Sequence, residues 1–459
     1  MTKNDFRNHL KTLFFSASTA VVERLRAFDV PLAASISEAY IRWNADGNGW
    51  QSGERAVERN VLGNPELPLY SYAPLLTPNV AEKAMQCAQR LVTLPGVHLP
   101  FFSPFNYNYE WMLTREISDQ GPPIPDFDVD PASWTLGHLL LPALSAHLQA
   151  LSRLDAASDE SATAFADDVI SFACSDNLAY RVTIPLAGVS FPASRKKSLV
   201  GTDVEIYPLS PERQGDFLPR RGFGSQKWFP VIPTVELSLM AYTSRMGQNP
   251  DTTALVNRWL CALYLHGYSL AGHDSRTESH PRWVGAGIMS SPMRMPDISR
   301  GPRPLTPTVF AKICSTVDRL RQYEIGEPAS ARDFALHRFY LGAARPSPAD
   351  AVVDFVVALE SLLLPYDSDA RHGDLGYRFR MHGAHYLTKK KNERSGIVKQ
   401  LNKLYGLRSS LVHGGKYPVP SDIEEGRLVA GELARAGLLR ALEEGFPRPE
   451  DFKKMLLGT

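Results

Sequence analysis

The amino-acid sequence predicts a mainly α protein with a smaller β element, built as an α+β N-terminal region followed by a C-terminal antiparallel helical bundle. Three observations carry this expectation. From residue 308 onward, apolar residues recur at helical spacing in segments joined by short loops, the pattern of helices packed side by side. Between residues 169 and 239 the texture changes to short β-branched and aromatic runs separated by Gly, Pro and Ser. The length of 459 residues exceeds what one ordinary core serves, at roughly 100–200 residues per domain, and the chain is divided into a region over 1–325 and a bundle over 326–459.

The elements follow in order. Residues 1–27 carry the spacing of a helix, and the Gly- and Asn-rich stretch from Trp43 to Trp50 reads as turn. A second helix is expected over 80–94, a proline- and aromatic-rich loop over 95–131, and a long apolar helix with His138 and His147 over 134–154. Strands are expected over 180–184, 204–207 and 229–237, then a helix over 252–271 and a Pro- and Gly-rich connection over 281–307. The bundle reads as helices over 308–323, 331–344, 347–364, 374–387, 392–413 and 421–444. Pro365 ends the third, and Ser421-Asp-Ile-Glu424 resembles a capping box at the start of the last.

Composition excludes several function classes. Apolar residues make up 44% and charged residues 22%, ordinary for a globular protein, and a net charge of +1 gives no overall pull toward polyanions. Cys87, Cys174, Cys261 and Cys314 lie far apart with no paired spacing, which argues against a zinc site and a disulfide framework and for a reducing cytoplasm. No apolar run approaches the roughly 18 residues that span a bilayer, so no membrane role is expected. Lys3, Arg7 and Lys11 among Phe6, Leu10, Leu13 and Phe14 faintly resemble a transit peptide, but their helical spacing favours an ordinary first helix. Nucleotide-binding, hydrolase and metalloprotease signatures are missing, and no cofactor is expected.

Two charges stand where apolar residues belong. On a helix of about 100° per residue, Leu401, Leu404, Tyr405, Leu411 and Val412 form one stripe with Arg408 near its middle. Glu360 sits among Val353, Val356, Val357 and Leu364 on the apolar face of its own helix. Either charge buried alone would cost roughly 3–5 kcal/mol, so the two are expected to meet. His413, five residues past Arg408, falls in the last helical turn before Gly414 and Gly415. There the helix dipole favours an imidazolium and the side chain can exchange protons near neutrality.

Around this pair the segment 371–416 holds eleven basic residues against two acidic ones, Asp374 and Glu393. Arg378, Arg380, Lys389, Lys390, Lys391 and Lys403 are therefore candidate contacts to a polyanion, although a solvated helical face has the same composition.

The segments Phe339-Tyr-Leu-Gly-Ala-Ala-Arg345, Asp350 to Pro365, Tyr377-Arg-Phe-Arg380 and Leu404-Tyr-Gly-Leu-Arg-Ser-Ser-Leu-Val-His-Gly-Gly415, in that order and spacing, resemble the HEPN domains and within them the ApeA-like group. The likeness covers 331–415, under a quarter of the chain. It implies a HEPN helical bundle that forms a homodimer, bringing two Arg-x4-His motifs into one cleft. It further implies metal-independent cleavage of RNA, often in bacterial toxins and antiphage defence, with 1–325 sensing a phage-derived trigger. Carried over, Arg408 and His413 are the catalytic pair, Glu360 the acidic residue of the preceding helix, and Ser409 occupies a position usually held by Asn, Asp or His.

The residues agree with that chemistry. Attack by a 2′-hydroxyl on its own phosphate needs a base, an acid and a fixed cation, which His413 and Arg408 can supply without a metal. The other reading open at this point is a non-catalytic HEPN module that dimerises and binds RNA, nucleotide or a partner protein, with Glu360 and Arg408 only locking the bundle.

His266, His273 and His280 recur every seven residues, but Gly272, Ser275 and Pro281 break any helix that would align them on a metal. His382 and His385, three apart on one helix, read best as a packed or exposed pair. The basic and aromatic residues of 194–197 and 220–229 have the texture of a single-strand binding surface, which ordinary basic loops share.

Overall fold

The computed structural model describes residues 2–27, 29, 32–43, 50–60, 77–97, 131–151, 155–191, 198–209, 233–244, 252–268, 270–272, 275–280, 289–291, 303–366, 375–414 and 417–457. The chain is mainly helical, with a small antiparallel sheet in its N-terminal half and a C-terminal helical region.

The N-terminal helices share one core. They are α1 (Lys3–Ala27), α2 (Pro78–Val92), α3 (Pro131–Thr135), a π-helical turn (Leu136–Leu140), α4 (Leu141–Ala150) and α5 (Asp159–Cys174). Phe6, Leu10, Leu13 and Phe14 of α1 are fully buried against Val80, Ala84 and Leu91 of α2 and Ala162, Ala166 and Val169 of α5. The expected helix over 134–154 forms as one unbroken helical run to Ala150 that contains a π turn, and 152–154 lie outside the described residues. Pro142 lacks the amide that would continue an α-helical ladder, and the π turn lies just before it.

Two further departures belong here. Residues 33–60 form a hairpin of β1 (Ala33–Trp43) and β2 (Trp50–Asn60), paired from Ala33↔Asn60 to Trp43↔Trp50, whose tip 44–49 lies outside the described residues. The β texture expected from residue 169 begins only at residue 177, because α5 runs to Cys174. Its start is fixed by Ser158 and Ser161, which cap each other's backbone amides.

The main sheet has strand order β10-β9-β3-β7-β6-β5, with β8 also on β3. Its centre is β3 (Asn177–Ala187) and β7 (Val235–Ser244), antiparallel from Asn177↔Ser244 to Leu186↔Val235. The others are β5 (Leu199–Gly201), β6 (Val204–Pro208), β8 (Ala271–Gly272), β9 (Ser275–His280) and β10 (Met289–Ser291). Tyr180, Val182, Ile184 and Leu186 alternate onto one buried face of β3, and Val235, Leu237 and Leu239 do so on β7. Strand β7 thus runs seven residues past the expected end, since Ser238, Met240 and Tyr242 face away from the apolar set. A separate parallel pair joins β4 (Val189–Ser190) to β11 (Arg303–Pro304), and with β10 it gives the 281–307 connection short strands.

The nearly all-apolar α6 (Thr252–Leu265) couples sheet and bundle. Trp259, Leu260, Cys261, Leu263 and Tyr264 are buried in one core continuous from Val182 on the sheet to Phe452 near the C-terminus. The helix stops at Leu265 rather than 271, where Arg303 donates to the carbonyls of His266 and Gly267.

The bundle comprises α7 (Pro307–Leu320), α8 (Ala331–Ala344), α9 (Pro348–Leu363), α10 (Leu375–Leu387), α11 (Arg394–His413), α12 (Pro420–Glu444) and α13 (Pro449–Leu457). Thr306, Ser330 and Ser347 cap α7, α8 and α9 through their hydroxyls. The capping box at Ser421 is not used. Val419 is the N-cap and Pro420, with its preset φ, occupies the first turn, leaving Ser421 inside. Helix α13 has no counterpart in the sequence expectation, yet its Phe452 is buried and stacks on His382 at 4.2 Å.

Helix α9 is the bundle's axis. Asp354, 1% exposed, receives Arg338 and Arg345 from the α8 side of the α8–α9 hairpin. Gly426, Gly431 and Gly437 of α12 lie in order against Val352, Phe355 and Leu362 of α9, so these two helices run alongside in the same direction. A Cβ at Gly431 or Gly437 would crowd Phe355 or Leu362 of α9, so its absence lets these axes approach, whereas one at Gly426 would strike Leu407 of α11. No helix among the described residues is long and apolar enough to cross a membrane.

Candidate functional site

The site is assembled where α9 and α11 cross. Arg408 Nη2 lies 3.8 Å from Glu360 Oε2, so the two charges stranded on apolar faces do meet. Their side chains stay 26% and 21% exposed, so the ion pair has an open edge. Breaking it therefore costs less than the 3–5 kcal/mol of a fully buried pair. At 3.8 Å it is an electrostatic contact rather than a hydrogen bond, and among the described residues the buried Arg408 Nε has no hydrogen-bond partner.

Burial pushes the Glu360 carboxyl above its usual range, and the neighbouring guanidinium opposes this with the smaller effect. Desolvation thus outweighs attraction. Ionising Glu360 is therefore harder in the folded chain than in the unfolded one.

Arg408, Ser409 and His413 are all on α11. Leu401, Leu404 and Leu407 bury its inner face, Leu411 packs at the margin, and Val412, placed in the stripe by the sequence, is 47% exposed. Helix α11 ends at His413, with Gly414 at φ +80 redirecting the chain. His413 is exposed. It stands about 7.5 Å beyond Arg408 along the axis, and Ser409 is half-buried beside the arginine.

The surrounding basic residues are less free than their density in sequence implied. Lys403 pairs with Glu425 at 2.9 Å, Lys389 with Glu444 at 3.4 Å and Lys390 with Glu393 at 2.9 Å. Arg380 donates to Asn402 Oδ1 at 2.8 Å. Arg378 and Lys391 pair with no carboxylate among the described residues. Two of the neutralising acids sit on α12, outside the 371–416 window, so the local excess is smaller in space than along the chain. Arg371 and Lys416 lie outside the described residues, as do 194–197 and 220–229.

The histidines sort themselves. His382 is buried, its Nδ1 2.7 Å from the Leu363 carbonyl and its ring on Phe452, which makes it part of the α9–α10–α13 packing. His266 Nε2 meets Thr316 Oγ1 at 2.9 Å, and burial lowers its pKa. His273 lies outside the described residues, and among those residues no three ligating side chains gather to hold a metal.

One feature escaped sequence reasoning. The α12 carboxylates were visible as residues, and summing charge by helix face instead of by window would have found them. Comparison with family models, with curated proteins and with solved structures finds no match.

Proposed function

We propose that this protein is a HEPN-type endoribonuclease that cleaves RNA by 2′-hydroxyl attack without a metal. The observation that carries the proposal is the half-open Glu360–Arg408 pair on α9 and α11, with the exposed imidazole of His413 ending the same helix. Arg408 presents a guanidinium whose edge can donate to two phosphate oxygens, and Glu360 holds its orientation. The Ser409 hydroxyl adds a hydrogen bond to a phosphate oxygen.

In the reaction, the 2′-oxygen bonds to phosphorus and the bond from phosphorus to the 5′-oxygen breaks. One imidazole takes the 2′-hydroxyl proton and an imidazolium delivers one to the departing 5′-oxygen. Dimerisation through the bundle would bring two His413 side chains to these two tasks. Such acid–base action is worth roughly 10²–10⁴ in rate. The same resemblance underlies the proposed antiphage role and the assignment of a trigger-sensing task to 1–325.

The test compares wild type, His413→Ala and Arg408→Ala on total RNA, with a chelator present, alongside growth of cells expressing each. Folded variants that neither cut RNA nor arrest growth, beside an active wild type, support the proposal. A wild type that binds RNA but never cuts it, with or without phage components, replaces the enzyme with a binding module.

A further inference from the structure

We propose that His382 is the positioning residue of the Glu360–Arg408 pair: its ring holds the last turn of α9 in place, and through that turn it holds the Glu360 carboxylate against Arg408. The consequence for RNA cleavage rests on the ribonuclease reading above, whereas the hold on α9 does not.

The pair needs such a hold. At 3.8 Å the Glu360–Arg408 contact lacks the direction of a hydrogen bond, so its length is set by where the two helices carry the side chains. Glu360 lies in the last turn of α9, where the final carbonyls run out of intrahelical amides to accept from. The Leu364 amide donates to the Glu360 carbonyl at 2.9 Å, and Pro365, next in line, has no amide to give. The end of α9 is completed from outside the helix.

His382 of α10 supplies what is missing. Its Nδ1 lies 2.7 Å from the Leu363 carbonyl, and because a carbonyl only accepts, Nδ1 carries a proton. Burial lowers the pKa of the ring, with the bond to Leu363 opposing it, so the imidazole is neutral at neutral pH. The side chain is buried and its ring lies parallel to Phe452 of α13 at 4.2 Å, which fixes its plane. The next residue marks the same junction, since a Cβ at Gly383 would crowd both Leu363 of α9 and Leu401 of α11. Glu360 stands about one turn from Leu363 and Arg408 about two turns from Leu401, so both helices that bear the pair are seated on this stretch of α10.

The test compares full-length wild type with His382→Phe and His382→Asn. Phenylalanine keeps a flat ring against Phe452 and removes the donor to Leu363, whereas asparagine gives up the stack but carries an amide nitrogen where the imidazole has Nδ1. Amide hydrogen exchange over 357–364 reads the hold on α9, and kcat and KM on a single-stranded RNA read its consequence. For His382→Phe the proposal predicts about 10-fold faster exchange at the Leu364 amide and a kcat about 10- to 100-fold lower with KM unchanged. For His382→Asn it predicts recovery of both to within about 3-fold of wild type. His382→Leu repeats the loss of the donor should the phenylalanine ring prevent folding.

Melting temperatures are recorded beside these measurements. If His382 only packs the bundle, cleavage follows stability, and His382→Asn, which loses the stack, is at least as slow as His382→Phe; that order overturns the proposal. Unchanged exchange at the end of α9 in folded His382→Phe also overturns it, as does a wild-type kcat in that variant, while an active wild type leaves the ribonuclease reading standing. A wild type that cuts no RNA overturns the ribonuclease reading instead, and the exchange result alone then decides whether His382 holds α9.

Discussion

His147 gives the sharpest stability prediction. It lies on α4 in the N-terminal core, fully buried, with its ring 5.0 Å from Phe14 and 5.1 Å from Phe165, and among the described residues neither ring nitrogen has a hydrogen-bond partner. Burial alone lowers its pKa from 6.5 to about 4. Because the folded chain binds this proton less tightly than the unfolded chain, stability is full above about pH 6.5 and falls as pH drops toward about 4. Each unit in that window costs about 1.4 kcal/mol, so the whole descent removes about 3 kcal/mol. His147→Phe keeps a flat ring beside Phe14 and Phe165 and removes the proton site. Urea unfolding at several pH values should show the variant gaining on wild type by about 3 kcal/mol between about pH 7.5 and about pH 4. Parallel pH profiles for the two proteins would refute the reasoning, by showing that His147 is solvated or partnered.

Three more outcomes follow from the bundle. Because Glu360 is held above its usual pKa, its folded form contributes most stability when protonated, at low pH, and loses it as pH rises. Glu360→Gln should therefore leave neutral-pH melting unchanged or raised while RNA cleavage falls on the order of 10- to 100-fold, read by thermal melts and rate assays. Asp354→Ala leaves Arg338 and Arg345 without their buried acceptor and should cost about 3 kcal/mol in urea unfolding, the low end for a buried pair because both arginines still touch water. Glu425→Gln with Glu444→Gln frees Lys403 and Lys389, and should tighten RNA binding and steepen its salt dependence by about one phosphate contact for each lysine that reaches the strand.

Much of the bundle was legible because its helices bury one continuous stripe and end at Pro, Gly or a capping serine. Ser330, Ser347 and Pro365 mark boundaries that the backbone follows within a residue or two. The meeting of Glu360 and Arg408 was legible for a related reason, since a charge on an apolar face must find its opposite. Other elements lacked such signals. Helix α5 is built from small and acidic residues, with Ala162, Ala166 and Ala173 giving a faint stripe. The β1–β2 hairpin mixes Ser, Glu and Arg into its alternation, and α13 is nine residues between prolines and a chain end. At the site, Val412 could not be told from the buried stripe, because its exposure depends on how α11 rolls against its neighbours. The screening of Lys403 and Lys389 depends on α12, which follows the basic segment along the chain.

The central claim is that Arg408 holds a phosphate for attack by the neighbouring 2′-hydroxyl while His413 moves the protons. It is tested most directly by the ends of the cut RNA, using a defined oligonucleotide and its twin carrying a single 2′-deoxy sugar at the cleavage position. Wild type should leave 2′,3′-cyclic phosphate and 5′-hydroxyl ends on the ribose substrate and spare the deoxy position, with His413→Ala inactive on both. Cutting at the deoxy position, or 5′-phosphate ends that persist in purified His413→Ala, would contradict it.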